Sequence, residues 1–459
     1  MKFIVEDKYT KHLYAAAFHI LLGFVMLYIP RAMIPWYYFV LFYGVYMAVT
    51  KVDSSYVILI LAYSLGIEII GRMTDLSPYI PWELTKYITV PLVLLSLLLD
   101  RFSKSNVLLG ALIVLLSVPA WLMGQDKFSR LLFSMMGIIN TGFMIMLFFN
   151  RKITLTFLLG AFRVLLLPLI SILVYITVKT PSFNDVDFEL GANFKTTGGF
   201  GSNQMSTVLG VGMLLLAMAI IIQKNLFGRY FMDVFFAGYF LFRGLLSFSR
   251  GGVLAAFLSF GVFFYFLKKS KILPLYKIKM RKINVAKVFL IIAGFVLVFI
   301  IADNITNGAL LNRYKGETNA TLQGRREKSL NSLTTGRWDI MVSDLRMWKD
   351  NPVWGVGGAT SPVLRPKYGL GSIATHVEFS RILAEQGMFG FIIIILIMVF
   401  IPYFLLFYRN SFEKAFLLAF LTLGLLTSFH AGMRTFVTPF FVGLSMVKIV
   451  PLISLRRRK

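Results

Sequence analysis

The chain has 459 residues, 58% of them hydrophobic and 15% charged, with a mean hydropathy of +0.76 and a formal net charge of +26. A soluble domain is nearer half apolar and a quarter charged, so these values exclude an ordinary globular domain and leave a polytopic membrane protein. The lack of cysteine excludes disulfides, thiolate metal sites and cysteine catalysis. The basic residues fall mostly in short loops, where they set topology rather than bind nucleic acid.

From the N-terminus, Met1 to Lys11 is polar, and the apolar run after it lacks a small-residue cleavage site, so it reads as a first span and not a signal peptide. Runs long enough to cross hydrocarbon follow near 13–29, 34–50, 55–70, 86–99, 106–124, 130–149, 153–178, 204–222, 230–248, 251–267, 287–302, 387–408, 414–429 and 435–452. The 86–99 run is short enough to be re-entrant, so the expectation is an all-α helical bundle of about 12–14 spans. The tail Arg456–Lys459 and the cluster from Lys268 to Lys282 belong on the cytoplasmic side. Counting spans between them returns the same side, which also holds Lys2, Lys8, Lys51, Arg101, Arg151, Lys152, Lys224, Arg229 and Arg409. Both termini are then cytoplasmic. The chain divides into a bundle at 1–302, a long outer and partly helical loop at 303–386, and C-terminal spans with a basic tail at 387–459.

Polar residues that topology does not need collect on the outer face. Arg163 and Arg243 lie within spans, where a guanidinium costs at least ~2.5–3.5 kcal/mol to insert, so both are candidates for substrate binding, with snorkelling or a pair with Glu68 or Asp233 as the structural alternative. In the small outer loop, Asp185-Val186-Asp187 has the spacing to hold a divalent ion on a diphosphate, although three residues match easily by chance. "GGFGSNQ", Gly198 to Gln204, lacks the strand and lysine of a phosphate loop and reads as a substrate-facing turn with Asn203 as its polar group. "SFSRGG" puts Arg250 at the outer boundary, beside a Gly251-Gly252 pair that permits close approach.

In the long loop, Arg325 and Arg326 precede "GRWDIMVSDLRMWKDNPVWGVGG". Trp338, Met341, Leu345 and Trp348 recur at helical spacing, Asn351-Pro352 stops the helix, and Gly355, Gly357 and Gly358 form a turn. Arg337 stands at the amino end of that helix, where a planar guanidinium matches phosphate oxygens. "THVEFSRILAEQGMFG" then reads as a capping box, with Thr375 as the cap and Glu378 three residues on. His376 becomes the first helical residue, and the positive helix end favours a neutral imidazole able to accept a proton. Arg381, on another face of that helix, is a further candidate for substrate binding. "FHAGMRT" brings His430 and Arg434 to the same outer face.

The order, spacing and sidedness of "SFSRGG", "GRWDIMVSDLRMWKDNPVWGVG" and "THVEFSRILAEQGMFG" resemble the O-antigen ligase / O-antigen polymerase family over about residues 195–400. The resemblance implies a GT-C-type membrane glycosyltransferase of the bacterial inner membrane, its long loop periplasmic. It implies a donor glycan on undecaprenyl diphosphate and an acceptor that is lipid A–core for a ligase, or a second lipid-linked glycan for a polymerase. It also implies His376 as catalytic base and Arg250, Arg337 and, with looser alignment, Arg326 as diphosphate-binding residues. No cofactor or metal is implied. Val377 departs from the asparagine that family members often carry after this histidine. The rival class is a lipid-linked oligosaccharide flippase, which places its polar groups near the bilayer midplane in broken, repeated helices; a non-enzymatic assembly scaffold is a third.

Overall fold

The computed structural model describes residues 9–50, 55–99, 106–124, 126–271, 273–276, 285–325, 327–373 and 376–451. The apolar runs become helices: α1 Tyr9–Tyr28, α2 Met33–Thr50, α3 Ser55–Thr74, α4 Leu84–Leu99, α5 Leu108–Met123, α6 Phe128–Phe148, α7 Leu155–Lys179, α8 Ser202–Ile221, α9 Tyr230–Leu246, α10 Arg250–Lys268 and α11 Val285–Ile305. The long loop contributes α12 Arg337–Asp350, and the chain finishes with α13 Glu378–Ile395, which runs on to Tyr408, α14 Ser411–His430 and α15 Val437–Leu444. Among the described residues nine helices are long and apolar enough to cross a membrane, and α4 and α5 are shorter apolar helices. The protein is an all-α polytopic membrane bundle.

The last expected span is corrected by the structure. Residues 435–452 do not form a spanning helix: α15 has eight residues, about 12 Å of rise, and the chain then extends into the strand Lys448–Val450. Every residue of α15 is buried, between α6 and α14. The apolar character of this run serves the protein interior instead of lipid. The strand pairs in parallel with Lys152–Thr154, Lys152 opposite Lys448, and these are the only strands among the described residues. This ladder marks one end of the bundle. Arg409 reaches it, donating to Asn150 Oδ1 at 2.6 Å, and Glu413 Oε1 accepts from the Ile449 amide at 3.0 Å.

The long loop covers the opposite end. Its α12 docks on the start of α13 through a buried polar knot: Asp344 accepts from Arg365 at 2.6 Å and from the Ser380 hydroxyl at 2.7 Å. Trp348 stacks on Phe391 with ring centroids 5.9 Å apart. Gly387 breaks α13, at φ 57° and ψ −133°, where the backbone of Val353 and Gly355 crosses it too closely for any side chain.

α8, α10 and α14 pack together at the centre of this end. Gly252 lets α10 lie directly on α8: a Cβ there would fall 2.3 Å from the Ser206 carbonyl carbon. Small residues at a crossing are how membrane helices approach closely. Gly252→Ala is expected to push α8 and α10 apart and destabilise the protein by about 1–3 kcal/mol, read as a lower midpoint of thermal unfolding in detergent; an unchanged midpoint would mean that the crossing is not tight.

Candidate active site

A cavity of about 450 Å³ opens beside that crossing. α8 contributes Asn203, the α9–α10 turn Phe248 and Ser249, α10 Arg250, Gly251, Leu254 and Leu258, and α14 Leu426, Phe429 and His430. The long loop adds Arg313, Tyr314, Leu333, Arg337, Trp338 and Met341, and Val377 closes one side. The arrangement is amphipathic. Arginines gather at the loop end, and an apolar trough descends from Arg250 to Leu258, eight residues or about 12 Å along α10. Leu254 and Leu258 are both exposed.

Local structure aims each polar group. Phe248 adopts φ +56°, a conformation that strains a bulky side chain, and its carbonyl accepts from Arg313 Nε at 3.3 Å. That turn starts α10 at Arg250, whose guanidinium donates to the carbonyls of Arg313 at 2.8 Å and Leu333 at 2.7 Å. A guanidinium has five N–H donors, so these bonds fix its plane and leave others for a ligand. Arg337, the first residue of α12 as its spacing predicts, donates to the Thr334 carbonyl, the Thr335 hydroxyl and the His430 carbonyl at 3.0, 2.6 and 3.4 Å. Its Nε is buried with no hydrogen-bond acceptor among the described residues. Of the residues recurring at helical spacing, Trp338 and Met341 face the cavity; the buried residues of α12 are Ile340, Ser343, Asp344 and Met347.

Three guanidiniums and no carboxylate stand among the described lining residues. Burial first, then the neighbouring Arg250 and Arg337, pushes the Arg313 guanidinium down to about 10. Burial, then Arg250, brings Arg337 down to about 10. Both stay cationic at neutral pH, so the cluster holds repulsion that a bound anion relieves.

His430 sits under the cluster. Ser249 gives its one proton to Asn203 Oδ1 at 2.7 Å, and the Asn203 carbonyl, 3.2 Å from His430 Nε2, can only accept. The network therefore assigns the proton to Nε2, which also reaches the Ser249 hydroxyl at 3.1 Å. Nδ1 lies against Gly251, where a Cβ would fall 2.1 Å away, so this glycine is required by the imidazole. The segment after His430 is held by buried charges: Met433 donates its amide to Glu378 at 3.1 Å and accepts from Lys86 at 3.2 Å, and the Phe436 amide donates to Glu68 at 2.7 Å. Arg72 bridges Glu68 and Glu83, each at 2.6 Å.

His376 joins the same group. His376, Arg250 and Arg337 are all within electrostatic range of His430. Arg250, Arg337 and His430, remote in the chain, line one cavity; His376 is not among its lining residues, where its neighbour Val377 stands. The local geometry differs from the expected capping box. α13 begins at Glu378, with Val377 extended before it, so His376 precedes the helix; Glu378 pairs with Arg381 and the Met433 amide. Thr375 lies outside the described residues.

Of the other candidates, Asn203 lines the cavity. Arg326 lies outside the described residues. Arg243 is buried away from the cavity, donating to Ile176, Thr180 and Thr196 oxygens at 2.9, 2.5 and 2.8 Å. Arg163 donates to the Leu226 carbonyl at 2.6 Å and lies within range of Asp233, a structural tie. Arg381 is flanked by Glu378 and Glu385 and faces a second cavity. Asp185 and Asp187 are exposed, and no group of three or more His, Cys, Asp or Glu placed to hold a metal ion is found among the described residues. Sequence reading passed over Arg313, one cation in a loop of mixed charge, and noted His430 only for its side of the membrane.

A comparison with curated proteins finds no match to the chain. Residues 235–395 match a protein-family model described as O-antigen ligase. That stretch runs from α9 to the end of α13 and carries Arg250, Arg313, Arg337 and His376. The match covers 161 of the chain's 459 residues and makes this stretch similar to the O-antigen ligase family.

Proposed function

We propose that this chain transfers a glycan from undecaprenyl diphosphate to a sugar hydroxyl of an envelope acceptor, either lipid A–core or a second lipid-linked glycan. One observation carries the reading: a cluster of three guanidiniums caps an apolar trough open along a membrane helix. A lipid diphosphate has that same division, with a charged head and a hydrocarbon tail. A flippase would need its polar groups near the bilayer midplane, whereas Arg250 and Arg337 stand at helix starts and His430 at a helix end.

The chemistry is a direct displacement. His376 takes the proton of the acceptor hydroxyl, whose oxygen forms a bond to the anomeric carbon as the bond from that carbon to the diphosphate oxygen breaks. Configuration inverts. The electron pair leaves with the diphosphate, and Arg250, Arg313 and Arg337 neutralise it, so no metal is required. The basic ladder end, with Arg151, Lys152, Arg409 and Lys448, supports a cytoplasmic location for that face and a periplasmic one for the cavity, in the bacterial inner membrane.

The test is incubation of the purified protein with the native lipid-linked oligosaccharide, with and without lipid A–core, followed by mass analysis. Lengthened or core-attached glycan is expected, at an undiminished rate in chelator. A rate that falls in chelator and returns with a divalent cation would remove metal independence. Glycan moved across liposomes with no change in chain length would replace the transferase with a transporter.

A further inference from the structure

Four ionisable side chains are buried together near this end of the bundle, and the displacement gives none of them a role. Glu68 and Arg72 lie in the last two turns of α3, and Glu83 and Lys86 at the start of α4; none is more than 6% exposed. Arg72 donates to Glu68 and to Glu83, and Lys86 pairs with Glu83, each at 2.6 Å. Burying an ion costs several kcal/mol, and apolar residues of similar volume often serve stability as well or better. Stability alone therefore does not account for the network. All four residues also lie outside the stretch 235–395.

Three ties leave the network, and they reach two walls of the arginine cavity. Lys86 donates to the Met433 carbonyl at 3.2 Å, and Glu68 accepts from the Phe436 amide at 2.7 Å. Both fix the turn after α14, where the chain leaves helical geometry at Gly432, φ +61°, and Met433. Such irregular backbone needs partners inside the protein. On the other side Arg72 donates to Gln204 Oε1 at 3.2 Å, in the first turn of α8 and next to Asn203. One group of charges thus holds both partners of the contact between His430 Nε2 and the Asn203 carbonyl.

That contact leads to the arginines. The His430 carbonyl accepts from Arg337 at 3.4 Å, and Asn203 Oδ1 accepts from Ser249, the residue before Arg250, at 2.7 Å. Both oxygens of Glu68 are engaged, Oε1 by Arg72 and Oε2 by the Phe436 amide. A carboxamide has one oxygen, so glutamine cannot keep both bonds.

We propose that Glu68 and Arg72 are positioning residues for the cavity: they clamp Asn203 and His430 together and thereby orient Arg250 and Arg337 toward a diphosphate. The consequence for ligand binding rests on the donor reading above; the clamp itself does not.

The experiment reads the clamp and the ligand separately. The chain has four histidines, so isotopic labelling of their ring nitrogens gives few NMR signals, and the one lost in His430→Gln belongs to His430. In the detergent-solubilised wild type this signal is expected to show the proton on Nε2. Undecaprenyl diphosphate is followed by its thermal stabilisation of the same protein. Gln204→Met removes the tie from Arg72 and leaves the ion pairs, whereas Glu68→Gln breaks one of the two bonds to that carboxylate. Both variants are expected to move the His430 signal toward mixed tautomers. Both are expected to weaken undecaprenyl diphosphate binding about three- to tenfold, the worth of one hydrogen bond. Gln204→Glu, whose carboxylate again accepts from Arg72, is expected to restore both readouts. Gln204 is only half-buried, so its variants decide the matter if Glu68→Gln fails to fold. A lower unfolding midpoint with the His430 tautomer unchanged would make the network merely structural and overturn the proposal. So would Gln204→Glu behaving as Gln204→Met does. A wild type that ignores undecaprenyl diphosphate, with the His430 tautomer still disturbed in Gln204→Met, would sink the donor reading and keep the clamp.

Discussion

His376→Ala is expected to lower glycosyl transfer by about 10²–10⁴-fold, the range a positioned general base contributes. Stabilisation by undecaprenyl diphosphate is expected to remain, because the cavity wall contributes Val377 and the guanidiniums come from other segments. Hydrogen bonds between other residues hold the segments on either side of this histidine. Asp344 pins Arg365 and Ser380 on either side of it in the chain, and Glu378 pins Met433. With those bonds in place, the expected loss on removing the imidazole is that of a proton acceptor. The measurement is a single-turnover rate at saturating lipid-linked oligosaccharide, beside the thermal response to the lipid diphosphate. A wild-type rate in His376→Ala would move the base role to His430, the other imidazole in the group. The tautomer assigned to His430 makes that outcome testable: Nε2 is a donor to Asn203, so only Nδ1, lying against Gly251, remains to accept a proton.

The helices were legible because a span must keep about 20 apolar residues together, and α3, α6 and α8 coincide with such runs. The same rule misread 435–452. Apolar residues do not declare whether they face lipid or protein, and those of α15 face protein. Arg163 and Arg243 drew attention because a membrane arginine is expensive; the expense is met by backbone carbonyls of Leu226, Ile176 and Thr196, partners that no local pattern displays. The start of α13 was misplaced for a related reason. Thr-x-x-Glu specifies a cap only when the glutamate has nothing better to bind, and Glu378 has Arg381 and a buried amide. Arg250 and Arg337 were found through flanking glycines and a helix start. Arg313 had no such flank, and only the fold turns it inward.

The second large effect is expected at the arginines. Arg250→Ala should weaken undecaprenyl diphosphate binding by about 1.5–3 kcal/mol, the worth of hydrogen bonds to a charged partner, or roughly 10- to 150-fold. Arg250→Lys should recover only part of this. An ammonium is a point charge, whereas the guanidinium holds the Arg313 and Leu333 carbonyls and still offers N–H groups to phosphate. Arg337→Ala should behave alike, since its buried Nε has no protein acceptor among the described residues. The double variant is expected to lose less than the sum of the two. Each guanidinium opposes the charge of the others, so removing one eases the burden on the rest. Titration at two salt concentrations separates charge from shape: each lost arginine should flatten the salt dependence, while a merely collapsed cavity would bind weakly at both. Undiminished affinity in Arg250→Ala and Arg337→Ala together would leave the cluster with no ligand, and the displacement with nowhere to hold its leaving group.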